Sequence, residues 1–159
     1  CNLQLVIDVD VFNIISEYDD LLKIRPKNYI LTQHPKEFQR LLGVWTNDYE
    51  KLAKQIELSS ELQCVVVLKG AYTSIAYHGK LYFNSSGNPG LASAGSGDVL
   101  TGIVAGLLAQ GYTSLEAAIL GVFIHGRSAD LAIVSAESME SLTAMDCITN
   151  LGKVFNEFN

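Results

Sequence analysis

The chain has 159 residues, 48% hydrophobic and 18% charged, so it can bury a substantial core and is too apolar for a disordered chain. With 11 basic against 17 acidic residues the net charge is -6, which provides no Lys/Arg-rich stripe for nucleic acid but leaves room for a small anion held by backbone N–H groups. Cys1, Cys64 and Cys147 are widely spaced with no C-x-x-C, which reads as free thiols in a reducing cytoplasm, and no apolar run is expected to cross a membrane.

Leu3 to Ile7 is an apolar run closing on Asp8 and Asp10, the pattern of a buried parallel strand that delivers polar groups at its carboxyl end. The chain opens inside this strand without an initiator methionine, a start that fits either a fragment of a longer protein or an engineered boundary. "VFNIISEY" follows as a short helical stretch, and Asn28 to Thr32 is again strand-like. Pro35 opens a helix with Phe38, Leu41 and Leu42 on one face and Gly43 as its stop. A second helix begins near Thr46, with Tyr49, Leu52 and Ile56 at helical spacing.

"CVVVLKG", from Cys64 to Gly70, is apolar on both faces and belongs in the middle of a sheet. Residues 73–77 and 81–83 flank His78-Gly79-Lys80 and read as a hairpin. Val99 to Gln110 reads as a helix, Thr113 caps a longer one through Ala136, and Thr143 caps the last with Asp146 three residues on. Gly121 and Gly126 inside the long helix mark close packing or a kink, and His125 reads as a packed core histidine. Strands alternating with helices, then a helix-rich end, predict one α/β domain over residues 1–159, a largely parallel sheet flanked by helices. Ligands of such sheets bind beyond the carboxyl ends of the strands, where Asp8, Thr32-Gln33-His34 and Lys69-Gly70 converge.

"NPGLASAGSGDVLTG", from Asn88 to Gly102, carries the chemistry. Gly95 and Gly97 let successive N–H groups turn toward one point, and the following helix start adds unpaired N–H groups and the positive end of its dipole. Such a pocket suits a phosphoryl group, with Asp98 placed to take the proton of an incoming hydroxyl. A Gly-x-Gly before a helix is also common as plain structure, and Asp is a good first-turn residue. No Gly-Lys-Ser/Thr follows, so this is not a Walker A loop. Lys69 can equally end a strand at the surface, His34 can simply start a helix, and Asp8 and Asp10 can cap one or bear on magnesium.

Four segments in order, "VIDVDVFNII", "ILTQHPKEFQRLLG", "VVLKGAYTSIA" and "GNPGLASAGSGDVLTGIVAGLLAQG", resemble the ADP/ATP-dependent NAD(P)H-hydrate dehydratases of the ribokinase-like superfamily. The resemblance implies a ribokinase-like fold and repair of hydrated NADH or NADPH: a nucleotide phosphorylates the ring hydroxyl, and phosphate then leaves. ADP is the expected donor, with ATP the alternative, and Mg2+ assists. It assigns Asp98 as base and substrate contact, and Ala94, Gly95, Ser96 and Gly97 as the anion pocket, with Gly97 also touching nucleotide. Lys69, Gly70, Ala71, Tyr72 and Thr73 would hold the AMP portion, and His34 and Asn88 would meet the hydrated cofactor. A homo-oligomer is expected, with no nucleic-acid or membrane partner.

The family is longer at its amino-terminal side, and Gln33 and Lys36 stand where it usually carries proline and glycine. Two other readings stay open: a ribokinase-like small-molecule kinase using ATP, and a non-catalytic nucleotide-binding remnant.

Overall fold

A computed structural model describes residues 5–8, 28–134 and 138–158. The sheet has five strands in the order β1 (Val6–Asp8), β2 (Ile30–Gln33), β3 (Val65–Leu68), β4 (Ser74–Tyr77) and β5 (Lys80–Phe83). β1, β2 and β3 run parallel, with Asp8 opposite Thr32 and Gln33 opposite Leu68. β4 and β5 add an antiparallel hairpin at one edge. Its turn residues His78 and Gly79 both have positive φ, 48° and 75°, as a two-residue hairpin turn matched to strand twist requires.

Among the described residues five α-helices cover the two faces: α1 (Pro35–Leu42), α2 (Asp48–Leu62), α3 (Ser96–Ala109), α4 (Ser114–Val134) and α5 (Ala144–Asn156). Strand side chains alternate between faces. Ile30, Val65, Val67 and Ile75 therefore pack against α3, α4 and α5, through Leu100, Val104, Val122 and Val154. Leu31, Val66, Leu68 and Ala76 pack on the opposite side against Phe38 of α1 and Leu58 and Leu62 of α2. The β-branched run of β3 is buried on both faces because it is the centre of this three-layer stack.

Among the described residues the expected elements are present with shifted ends. Pro35 does open α1 and Gly43 follows it, while α2 starts at Asp48, capped by Asn47. The largest shift is at α3, which begins at Ser96 and not at Val99: Gly95, with φ of 81°, is its N-cap, a conformation open to a residue without Cβ. Ser96, Gly97 and Asp98 are thus the first turn of a helix and not the loop before it. Thr143 and Asp146 form the expected capping box at α5.

Gly121 and Gly126 mark close packing, since a Cβ would lie 2.6 Å from Val104 Cγ2 at Gly121 and 2.4 Å from Ser86 Oγ at Gly126. One reading is corrected: α4, at 21 residues and mean hydropathy 1.5 in its most apolar window, is long and apolar enough to cross a membrane, with 56% of that window buried inside the domain. The expected helix at "VFNIISEY", together with Cys1, Asp10 and Ala136, lies outside the described residues.

Candidate phosphoryl-transfer site

Parallel strands bring their carboxyl ends to one edge of the sheet. Side chains two residues beyond Val6, Ile30 and Val67 repeat their facing, so Asp8, Thr32 and Lys69 form a row on the α3 side of three adjacent strands. Lys69 Nζ lies 3.7 Å from Asp8 Oδ2. It also lies 3.3 Å from where a Cβ on Gly97 would be, so the ammonium stands directly over the first turn of α3. The Thr32 hydroxyl between them is buried without a hydrogen-bond partner, as are both amide atoms of Gln33 on the other face. Unpaired buried polar atoms are unusual and collect where function asks for them.

The first turn of α3 presents unpaired backbone N–H groups. No side chain caps it, and the first intrahelical bond runs from Val99 N–H to the Gly95 carbonyl at 3.1 Å. The N–H groups of Gly97 and Asp98 precede that bond and point out of the helix with its positive dipole end. Asp98 is exposed beside them, whereas Ser96 is buried and turns its hydroxyl away from the pocket to His125 Nε2, 3.2 Å away. Ser96 therefore offers the pocket its backbone only. Burial pushes His125 down to about 4, the nearby Lys69 charge adding to the shift, so its ring is neutral at neutral pH.

Lys69 N–H donates to the Gln33 carbonyl at 2.8 Å, which sets His34 beside the same edge. His34 is the N-cap of α1: its Nδ1 accepts from Lys36 N–H at 3.3 Å and its own N–H donates to Glu37 Oε2 at 2.7 Å. That acceptor role leaves Nε2 as the ring nitrogen that carries a proton. After β3, the Thr73 hydroxyl accepts from Gly70 N–H and donates to the Gly70 carbonyl, folding residues 70–73 into a tight loop with Ala71 and Tyr72 exposed.

Asn88 caps a short 3-10 helix (Pro89–Leu91) through Gly90 N–H at 3.1 Å, and its Nδ2 donates to Asp130 Oδ1 at 3.1 Å. Its side chain thus ties the loop to α4. Sequence reasoning did not find Asp130 or the link from His125 to Ser96, because both reach the loop from α4 and leave no local pattern. An apolar cleft of about 520 Å³, lined by residues such as Tyr82, Phe83, Tyr112 and Phe123, lies against the hairpin, away from Lys69 and Gly97.

Residues 1–150 match the family described as NAD(P)H-hydrate dehydratase.

The chain belongs to the NAD(P)H-hydrate dehydratase family.

Among curated relatives, a bifunctional NAD(P)H-hydrate repair enzyme of Moorella thermoacetica is 43% identical over 130 residues, 80% of this chain and 24% of the relative. An ADP-dependent (S)-NAD(P)H-hydrate dehydratase of Neisseria meningitidis is 41% identical over 145 residues, 88% of this chain and 49% of the relative. The crystal structure of the ADP/ATP-dependent dehydratase of Bacillus subtilis, co-crystallised with ATP/Mg2+, superposes with a TM-score of 0.81 at 30% identity, covering all of this chain and 56% of that one. The chain thus spans about half the length of these dehydratases and a quarter of the Moorella enzyme. A hydroxyethylthiazole kinase of Pyrococcus horikoshii, 18% identical with a TM-score of 0.74, shares the ribokinase-like fold.

Proposed function

We propose that this family member serves the nucleotide-dependent dehydration of hydrated NADH or NADPH, with ADP as donor. The observation that carries the reading is Lys69 Nζ standing over the uncapped first turn of α3, next to Asp98. In this reading a phosphoryl group passes from the nucleotide to the ring hydroxyl oxygen, whose proton goes to Asp98. Phosphate then departs with the C–O bonding pair, and loss of a proton from the adjacent ring carbon restores the double bond. The N–H groups around Gly95, Ser96 and Gly97, with Lys69, meet the charge on the transferring group.

Gly70, Ala71, Tyr72 and Thr73 hold the AMP portion, Tyr72 being 75% exposed and able to lie against a base. His34 Nε2 donates to the hydrated cofactor, and Asn88 serves that side by holding its loop. Among the described residues no group of three or more His, Cys, Asp or Glu forms a metal cage. Among the described residues Asp8 and Asp98 bring carboxylates to this edge, a donor set that suits Mg2+ carried on nucleotide phosphates, where it would offset their charge. The buried thiols Cys64 and Cys147 suit a reducing cytoplasm, and the net charge of -6 disfavours nucleic acid. Exposed Phe83 and Tyr112 beside the apolar cleft support a homo-oligomer, which sedimentation would test.

The direct experiment adds hydrated NADH and Mg2+ with ADP, ATP or neither, and follows the return of dihydronicotinamide absorbance. Recovery with ADP that drops by about 100-fold or more in Asp98→Asn is the expected result. Binding of ADP without recovery would assign this chain nucleotide binding alone, and neither binding nor recovery would overturn the reading.

A further inference from the structure

One stretch of α4 grips the glycine-rich segment at both ends. At its front, Ser86 Oγ donates to the Phe123 carbonyl at 3.1 Å, and Asp130 accepts from Gly87 N–H at 2.9 Å and Asn88 Nδ2 at 3.1 Å. Gly126 lies against the Ser86 backbone so closely that a Cβ there would sit 2.6 Å from the Ser86 carbonyl oxygen. At the other end the contact is His125 Nε2 to Ser96 Oγ, 3.2 Å, between two buried side chains. Ser96 is the first residue of a helix that no side chain caps. An uncapped first turn frays unless a tertiary contact holds it.

We propose that His125 is a positioning residue of the phosphoryl site: through Ser96 Oγ it fixes the first turn of α3, so that the Gly97 and Asp98 N–H groups and the Asp98 carboxylate converge beneath Lys69. It touches no ligand. The inference rests on the phosphoryl reading of that pocket. His125 is suited to the task because its ring stays neutral behind an anion site, where burial lowers its affinity for a proton. Either tautomer can bond the hydroxyl, since a serine hydroxyl both donates and accepts.

The test uses the full chain, calorimetric titration with ADP and with inorganic pyrophosphate, and a thermal melt of each variant. His125→Phe and Ser96→Ala are each expected to weaken both ligands by about fivefold, the loss of one hydrogen bond's worth of positioning. The double variant is expected to bind no more weakly than His125→Phe alone, because the ring faces both the hydroxyl and the backbone of Ser96 and His125→Phe already removes what Ser96→Ala removes. His125→Gln, whose amide nitrogen can take the place of Nε2, is expected to restore most of the affinity. A general loss of packing would not give this rescue.

At neutral pH, ring 15N signals of His125, assigned by their loss in His125→Gln, should report a neutral ring and shift in Ser96→Ala. If His125→Phe fails to fold, Ser96→Ala and the ring signals carry the test. Folded His125→Phe or Ser96→Ala with wild-type affinity, or strictly additive losses in the double variant, would overturn the positioning role and leave the proposed function standing. A wild-type chain that binds neither ADP nor pyrophosphate would overturn both.

Discussion

Lys69, at the end of a central strand, and Gly97, in the first turn of α3, stand so close that a single methyl group on Gly97 would reach within 3.3 Å of the Lys69 ammonium. The glycine is there to let a cation and two backbone N–H groups face the same small volume. Gly97→Ala separates that role from stability. Alanine is the better helix former by about 1 kcal/mol, and the obstructed atom is the far end of a flexible side chain. The variant is expected to melt no lower than wild type while binding ADP about tenfold more weakly, a loss of the order expected for a charge-assisted contact. Calorimetric titration beside a thermal melt checks both halves, and unchanged ADP affinity would count against Lys69 facing the phosphates.

His125 makes folding stability depend on pH. Burial holds it at about 4 in the folded chain against an ordinary value of 6.5. The unfolded chain therefore takes up a proton as pH falls through 6.5, whereas the folded chain resists until about 4. The stabilisation is fully present above pH 6.5 and is lost progressively down to pH 4, about 3 kcal/mol in all. Urea unfolding at several pH values across that window is expected to show a steeper acid loss in wild type than in His125→Leu. Parallel pH dependences would show that the ring titrates normally.

Helical glycines divide by what surrounds them. A Cβ at Gly126 would meet the Ser86 backbone at 2.6 Å, so Gly126→Ala is expected to cost about 2–3 kcal/mol. Gly102 and Gly152 have open space, and alanine at either is expected to add about 0.5–1 kcal/mol. Denaturant midpoints of the three variants test the ordering. A neutral Gly126→Ala would mean that α4 and the Ser86 segment can move apart.

Gln63 ends α2 with φ of 52°, the left-handed conformation that glycine adopts without a steric penalty. Gln63→Gly is expected to stabilise the chain by about 1 kcal/mol, a rise of several degrees in melting temperature. A fall would show that the side chain contributes more than its backbone costs.

Much of this architecture was legible from local pattern, because local rules are short-ranged. Pro35, Gly43 and the Thr143–Asp146 box act within one helical turn, and the alternation around His78-Gly79 sets the hairpin through its own turn. The glycines of "AGSGD" pointed to a helix start with exposed N–H groups, because backbone N–H groups need no distant partner to present themselves. The start of α3 was read three residues late because glycine is a poor helix former and here also serves as cap.

What the chain's local chemistry could not decide is which distant atoms complete that pocket. Lys69 above Gly97 follows from the face taken by the residue directly after β3, and that in turn from two-sided burial of the sheet. His125 reaches Ser96 from 29 residues away, and Asp130 reaches Asn88 from 42, only because α4 is packed against the loop through Gly126. Side-chain periodicity can say that a histidine is inside. Only close packing between elements decides which hydroxyl it meets there.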